Sequence, residues 1–225
     1  MKKHRVIIDC DPGVDDAVML SLAFAAGDAL DIAGITTVAG NVGAALTTRN
    51  ACLIRDIAAR PEVAWIVPIS LGDSHRQFRV MGTTVDFFER YKYRRGRALE
   101  VVDGALIADL FDTVIGADVA TALGYKVGDP IVVAHGIASF SEHKDQPFRV
   151  SGILEKTGTP VDRTVLVSLE AIEAIHVDWQ NGAQVPGQST PADVIRQMEL
   201  TPKAVTAALI GVESPLQTFA LQRAI

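Results

Sequence analysis

The stretch Asp9-Cys10-Asp11-Pro12-Gly13-Val14-Asp15-Asp16 places four carboxylates within eight residues, on either side of a Pro-Gly turn. Ahead of it, Arg5-Val6-Ile7-Ile8 is a short β-branched run. Behind it, Asp15 to Ala26 carries apolar residues at helical spacing, so the segment reads as strand, loop and helix. Asp15 and Asp16 alone would need no explanation beyond opening a helix and complementing its dipole. Asp9 and Asp11, one turn away, change that reading, because like charges this close disfavour joint ionisation unless a counter-ion shares them.

Further along, Ile32 to Val38 is a second β-branched run, Gly40-Asn41-Val42-Gly43 is a loop, and Ala44 to Ala59 is a second helix. Leu46, Asn50, Leu53, Ile54 and Ile57 mark one face of that helix. Two strand-helix units in so short a span predict a parallel pair, the start of an open α/β sheet. Ligands of such sheets bind outside the carboxyl ends of the strands, where Asp9, Asp11 and Asn41 would lie. Hard oxygen ligands at this density suit calcium, and an Asp held ionised beside such a cation can take a proton from water. Asp11 is the natural general base.

These residues, with Gly34-Ile35-Thr36-Thr37-Val38-Ala39-Gly40-Asn41 and Thr47-Thr48-Arg49-Asn50-Ala51, resemble the N-terminus of the inosine-uridine-type nucleoside hydrolases over about the first sixty positions. The resemblance implies hydrolysis of the N-glycosidic bond of ribonucleosides, with calcium chelating the ribose diol. By position it makes Asp11 the base, assigns Asp9, Asp11 and Asp16 to the calcium site, and turns Asp15 and Asn41 toward ribose hydroxyls. The family draws its remaining carboxylate and a leaving-group histidine from later segments. None of His4, His75, His135, His143 and His176 sits in a comparable His-Asp-Pro context, so the calcium site reads as incomplete.

After Pro61-Glu62-Val63 the regular alternation stops. Strands are expected at Trp65 to Leu71, Phe78 to Thr83, Ile131 to Ala134, Phe148 to Leu154 and Thr164 to Val167, with short helices at Ala117 to Leu123 and Leu169 to Ile175. Asn181 to Pro191 reads as a loop, Ala204 to Val212 as a last strand and Pro215 to Ile225 as an amphipathic tail. The expected class is α+β. An N-terminal βαβα segment over residues 1–60 joins a body with a mixed or antiparallel sheet over 61–225.

The body, through Ala64 to Arg76, Arg79 to Thr83, Leu123 to Asp129, Phe148 to Leu154 and Thr157 to Arg163, is similar to the extracytoplasmic core domain of MacB/FtsX-type ABC-transporter permeases. That resemblance implies a non-catalytic domain, without a cofactor, that transmits conformational change or contacts partners. Its partners would be membrane helices and an ATPase subunit. The chain thus reads as a chimera of two families, and the larger piece gives the expected function, that of a permease extracytoplasmic domain rather than an enzyme. The alternative is a calcium-dependent nucleoside hydrolase acting on a ribonucleoside.

Composition sets the outer bounds. The 225 residues are 48% hydrophobic and 21% charged, which is the make-up of a folded globular chain. A formal net charge of −6 argues against nucleic acid as a partner. Lys2-Lys3-His4-Arg5 imitates a secretory n-region, but the aspartates interrupt any following apolar region. The apolar run Ala17 to Ala26 falls short of the roughly 20 residues a membrane span needs. No signal peptide or transmembrane segment is expected, and the compartment is left open.

Cys10 and Cys52 read as two buried thiols. Gly72-Asp73-Ser74-His75-Arg76 reads as a polar cluster at a strand end and not a catalytic triad, because adjacent strand residues face opposite ways. The basic stretch Arg90 to Arg97 reads as a solvated surface, and His176 as a surface histidine at a helix end.

Overall fold

A computed structural model describes residues 3–10, 14–26, 29–37, 52, 55–135, 146–180, 183–185, 189–202, 205–219 and 221. The first elements are β1 (His4–Cys10), α1 (Val14–Ala25), β2 (Leu30–Thr37), β3 (Val63–His75), β4 (Phe78–Thr83), α2 (Asp86–Arg90), β5 (Lys92–Tyr93) and β6 (Arg97–Ala98). They are followed by β7 (Val101–Gly104), β8 (Asp112–Ile115), α3 (Ala117–Leu123), β9 (Pro130–Ile131), β10 (Ala134–His135) and β11 (Phe148–Leu154). The last are β12 (Thr164–Ser168), α4 (Leu169–Ile175), β13 (Trp179–Gln180), β14 (Ala183–Gln184), α5 (Ala192–Ile195) and β15 (Ala207–Val212). The class is α+β, with a mixed sheet and short helices. Two compact units divide the chain, one of Met1–Pro68 with Lys203–Ile225 and one of Ile69–Pro202.

In the first unit β1 and β2 form the parallel pair that the sequence predicts. Their ladder carries a register shift between Val6 and Ile7. Arg5 pairs with Asp31 and Val6 with Ile32, but Ile7 pairs with Gly34, so Ala33 is the extra residue. Arg5, Ile7 and Asp9 are exposed, whereas Cys10 is buried with Leu20 of α1 and packed by Ile8, Met19, Phe24 and Ile35. Full burial of Leu20 contributes roughly 2 kcal/mol. β15 pairs with β3, and beyond its end the Glu213 N–H donates to the Glu62 carbonyl at 3.0 Å. The expected helix over 44–59 is seen as helix at 52 and 55–58 and as a turn at 59, and the rest of it lies outside the described residues.

The second unit is built on the strand order β10-β3-β4-β12-β8-β11-β7, with β9 also on β11. β12 pairs parallel with β4 and antiparallel with β8, and β11 pairs parallel with β8, so the sheet is mixed. β12 is its centre. Val165, Leu166 and Val167 are all fully buried, as a strand covered on both faces requires. β11 alternates instead, with Phe148, Val150 and Leu154 buried and Arg149 exposed between them.

α4 starts where Ser168 Oγ accepts from the Ala171 N–H at 3.0 Å, and it buries Leu169, Ile172 and Ile175. It packs close to β4, since a Cβ on Gly82 would lie 2.5 Å from Ile172 Cγ1. α3 ends at Gly124, whose φ of 69° is the left-handed conformation in which a helix commonly stops.

Several expectations are corrected in detail. Ile131 to Ala134 is not one strand, because β9 and β10 pair with different partners, β11 and β3. Trp179–Gln180 and Ala183–Gln184 pair as a small hairpin at the start of the expected loop. The basic stretch ends a helix and forms the β5–β6 hairpin. Cys52 is exposed, so only Cys10 is the buried thiol the composition suggests. Among the described residues no helix is long and apolar enough to cross a membrane.

Candidate functional site

Parallel strands end side by side, and this brings Asp9 next to Thr36 and Cys10 next to Thr37 at the carboxyl ends of β1 and β2. Thr36 Oγ1 donates to Asp9 Oδ1 at 2.5 Å, and the Cys10 thiol reaches the Thr36 carbonyl at 3.5 Å. Asp9 is therefore an exposed carboxylate anchored from one side by a hydroxyl. Four positions after the end of β1, α1 begins at Val14, so Asp15 and Asp16 occupy its first turn. The positive end of the helix dipole favours carboxylates there.

Of the residues singled out from the sequence, Asp9 and the α1 positions of Asp15 and Asp16 are placed at this one strand-to-helix end. The side chains of Asp15 and Asp16 are not described, and Asp11 and Asn41 lie outside the described residues. Among the described residues no group of three or more His, Cys, Asp or Glu could hold a metal. Asp9 by itself offers carboxylate oxygen in an accessible position, the kind of ligand a hard cation takes. Thr36 was not singled out by the sequence. Its signal was its place inside the Gly34 to Asn41 motif, but its role depends on the ladder register.

An open cavity of about 560 Å³ in the same unit is lined by Phe24 of α1, Ile32, Ile35 and Thr37 of β2, and Cys52 and Arg55, among others. Asp9 and Thr36 are not part of its lining, so it is not the carboxylate site.

In the second unit, Asp73, Ser74 and His75 are all buried, which the expected strand-end cluster did not foresee. A register shift between Leu71 and Ser74 breaks the alternation that would have turned one of them outward. His75 Nδ1 meets the Val132 carbonyl at 2.6 Å and its Nε2 meets the Tyr125 hydroxyl at 2.8 Å. Both ring nitrogens thus serve packing rather than a nucleophile. His176 is not a plain surface residue either. It is half-buried at the end of α4, with Nδ1 2.7 Å from the Ile172 carbonyl and Nε2 3.9 Å from Asp73 Oδ1.

Ligands of open α/β sheets bind outside the carboxyl ends of the strands, and Asp9 and the start of α1 lie at that end of the β1–β2 pair. Residues 6–92 match the family model of the inosine-uridine preferring nucleoside hydrolases, so the N-terminal segment is nucleoside-hydrolase-like. Uridine nucleosidase 1 of Arabidopsis thaliana is 44% identical over 73 residues, covering 32% of this chain and 20% of that protein. The inosine-uridine preferring nucleoside hydrolase of Crithidia fasciculata is 50% identical over 54 residues, covering 24% and 17%. The chain spans about a fifth of the length of the curated relatives it matches.

Among solved structures, the extracellular domain of the ABC-type transporter YknZ is 13% identical at a TM-score of 0.39, over 75% of each chain. The periplasmic region of MacB from Actinobacillus actinomycetemcomitans is 9% identical at 0.40, over 76% of this chain and 67% of that one. The expectation that the chain functions as a permease domain is overturned. The family match and the named relatives are nucleoside hydrolases and nucleosidases, and the likeness to transporter domains is too slight to carry a function.

Proposed function

We propose that the protein hydrolyses the N-glycosidic bond of ribonucleosides, with its N-terminal segment supplying the ribose- and cation-binding end of the site. The observation that supports this is the match of residues 6–92 to the nucleoside hydrolase family, within which Asp9 stands at the carboxyl end of a parallel strand pair. In this reading Asp9, Asp11 and Asp16 contribute oxygens to a calcium ion, and Asp15 and Asn41 hold ribose hydroxyls. Calcium, when bound, supplies positive charge that gathers hydroxyl and water oxygens and makes water more acidic. Asp11 takes a proton from the attacking water, whose oxygen bonds to the anomeric carbon. The C–N bond breaks with its electron pair going to the nucleobase, which takes up a proton from solvent, and Asp11 returns its own proton to solvent. Thr36 keeps Asp9 oriented through the 2.5 Å hydrogen bond.

The test is release of nucleobase from uridine and inosine by the full chain, with calcium and with a chelator, alongside Asp11→Asn. Calcium-dependent release that Asp11→Asn abolishes without shifting the melting temperature is the expected result. Absence of release in calcium, or release indifferent to both the chelator and the substitution, overturns the reading.

A further inference from the structure

Arg90 to Arg97 reads Arg-Tyr-Lys-Tyr-Arg-Arg-Gly-Arg, five cations in a chain whose formal net charge is −6. The rest of the chain is more acidic than the whole, so this segment is an electrostatic exception. α2 ends at Arg90, and β5 pairs with β6 through Lys92 with Ala98 and Tyr93 with Arg97. The turn is left to Arg94, Arg95 and Gly96, with φ of 37°, 57° and 90°. Side chains are crowded in that region, and hairpin turns that need it normally use Asn, Asp or Gly. Here two arginines occupy it.

The hairpin has a fixed underside and a charged top. Tyr93 is buried, and half-buried Tyr91 stacks on Phe87 with ring centroids 5.1 Å apart. Arg97 lies over the Tyr93 ring and pairs with Glu155 at 3.3 Å. Arg94 lies against the next turn, since a Cβ on Gly158 would be 2.7 Å from its Nη2. Arg90, Lys92, Arg94 and Arg95 are exposed, and among the described residues none of the four has a carboxylate within ion-pair distance.

We propose that this hairpin is a docking site for an acidic peptide segment of a partner protein. Several separated cations fit a multivalent anion better than one small ion. Single-stranded nucleic acid would want aromatic faces for its bases, but Tyr93 is buried and half-buried Tyr91 lies against Phe87. A fluid headgroup layer adapts to cations on any flexible segment and gains nothing from arginines held in a crowded backbone conformation. Carboxylates along a peptide have set spacings, and the planar guanidinium binds a carboxylate through two parallel hydrogen bonds. A rigid tip therefore selects among acidic sequences.

The experiment measures binding of the full chain to fluorescein-labelled hexaglutamate by anisotropy at low salt, beside phosphatidylglycerol vesicles and a single-stranded oligonucleotide. The peptide binds most tightly, and the double substitution Arg94→Asn with Arg95→Gly weakens it by about tenfold or more. Lys126→Ala, an exposed cation elsewhere, changes binding by less than about twofold. Because Asn and Gly suit the turn, the double variant also melts at or above the parent temperature, which separates lost contact from lost fold. Equal or tighter binding of vesicles or oligonucleotide, or unchanged peptide binding by the double variant, overturns the proposal.

Discussion

Thr36 and Asp9 are Cα partners in the β1–β2 ladder, and the Thr36 hydroxyl donates to the Asp9 carboxylate at 2.5 Å. Thr36→Val keeps the β-branched shape and removes the donor. Because Asp9 is exposed and water can replace the bond, the cost in stability is at most ~1 kcal/mol by urea unfolding. Under the proposed function, calcium affinity measured by calorimetry falls roughly threefold or more, as an unanchored carboxylate must be ordered on binding. Thr36→Ser retains the parent affinity. If Val and Ser variants bind calcium alike, the hydroxyl does not position Asp9.

The two thiols differ in exposure, and this is chemically readable. Cys52 is exposed and reacts with a thiol-specific chromogenic reagent in the native protein, whereas Cys10 reacts only once denaturant opens the first unit. Rapid modification of both thiols without denaturant would contradict the packing of Cys10 against Leu20.

Asp162 anchors the turn beneath the basic hairpin. It accepts from the Thr157 N–H, the Thr157 hydroxyl and the Gly158 N–H, each at 2.7 Å. Burial pushes its pKa up, but the Thr157 and Gly158 hydrogen bonds and the charge of Lys156 together outweigh burial and hold it below the ordinary value. A depressed folded pKa means the stabilisation is complete above the unfolded Asp value of about 3.9 and is lost as pH falls through the folded value. Asp162→Asn should cost ~2 kcal/mol at pH 7, since an amide group now faces donors it cannot satisfy. The gap between parent and variant narrows below about pH 4 in acid unfolding curves. A gap that stays constant to pH 2 would count against this account.

Arg196 grips Asp109 through two bonds of 3.1 and 3.3 Å, and its guanidinium lies 4.8 Å from the centre of the Phe111 ring. The Arg196 hydrogen bond is the main reason the Asp109 pKa lies below its usual range. Both partners are well exposed, so the pair is worth ~1 kcal/mol or less. Arg196→Ala loses that and the cover over Phe111, while Arg196→Lys loses the fork alone and is milder. Thermal melts at low and high salt separate the two, since salt screens only the ion pair.

Strong periodic signals were legible in the sequence. β4, β11, α3 and α4 begin and end where apolar spacing places them, and α4 carries both a Ser168 cap and a clean Leu169, Ile172, Ile175 stripe. The two-residue strands β5, β6, β9 and β10 were not legible, because a pair that short has no period to read. The exposure of Cys52 was misread, because the general burial habit of free cysteine was set above its position on the helix. The helix face marked by Asn50, Leu53 and Ile57 already leaves position 52 off the stripe.

At the site, the sequence located Asp9 and the helix start that carries Asp15 and Asp16, since strand, turn and helix are all local signals. It did not find Thr36, whose partner is set by a pairing 27 residues away in the chain. The burial of Asp73, Ser74 and His75 was hidden for the same reason, because a register shift is a property of two strands and not of either one.

The shift between Val6 and Ile7 also settles a question of parity. Arg5 and Asp9 are an even number of positions apart and share a face of β1, while Asp31 and Thr36 are an odd number apart and in an unbroken strand would point to opposite faces. With Ala33 as the surplus residue, the phase of β2 is reset midway. Asp31 can then lie 3.7 Å from Arg5 at one end while Thr36 reaches Asp9 at the other, on the same side of the sheet. A ladder in strict step could keep one of these two bonds and would forfeit the other. The irregularity works as a vernier, letting Arg5 approach Asp31 at the amino ends of the strands without misaligning Thr36 and Asp9 at the carboxyl ends.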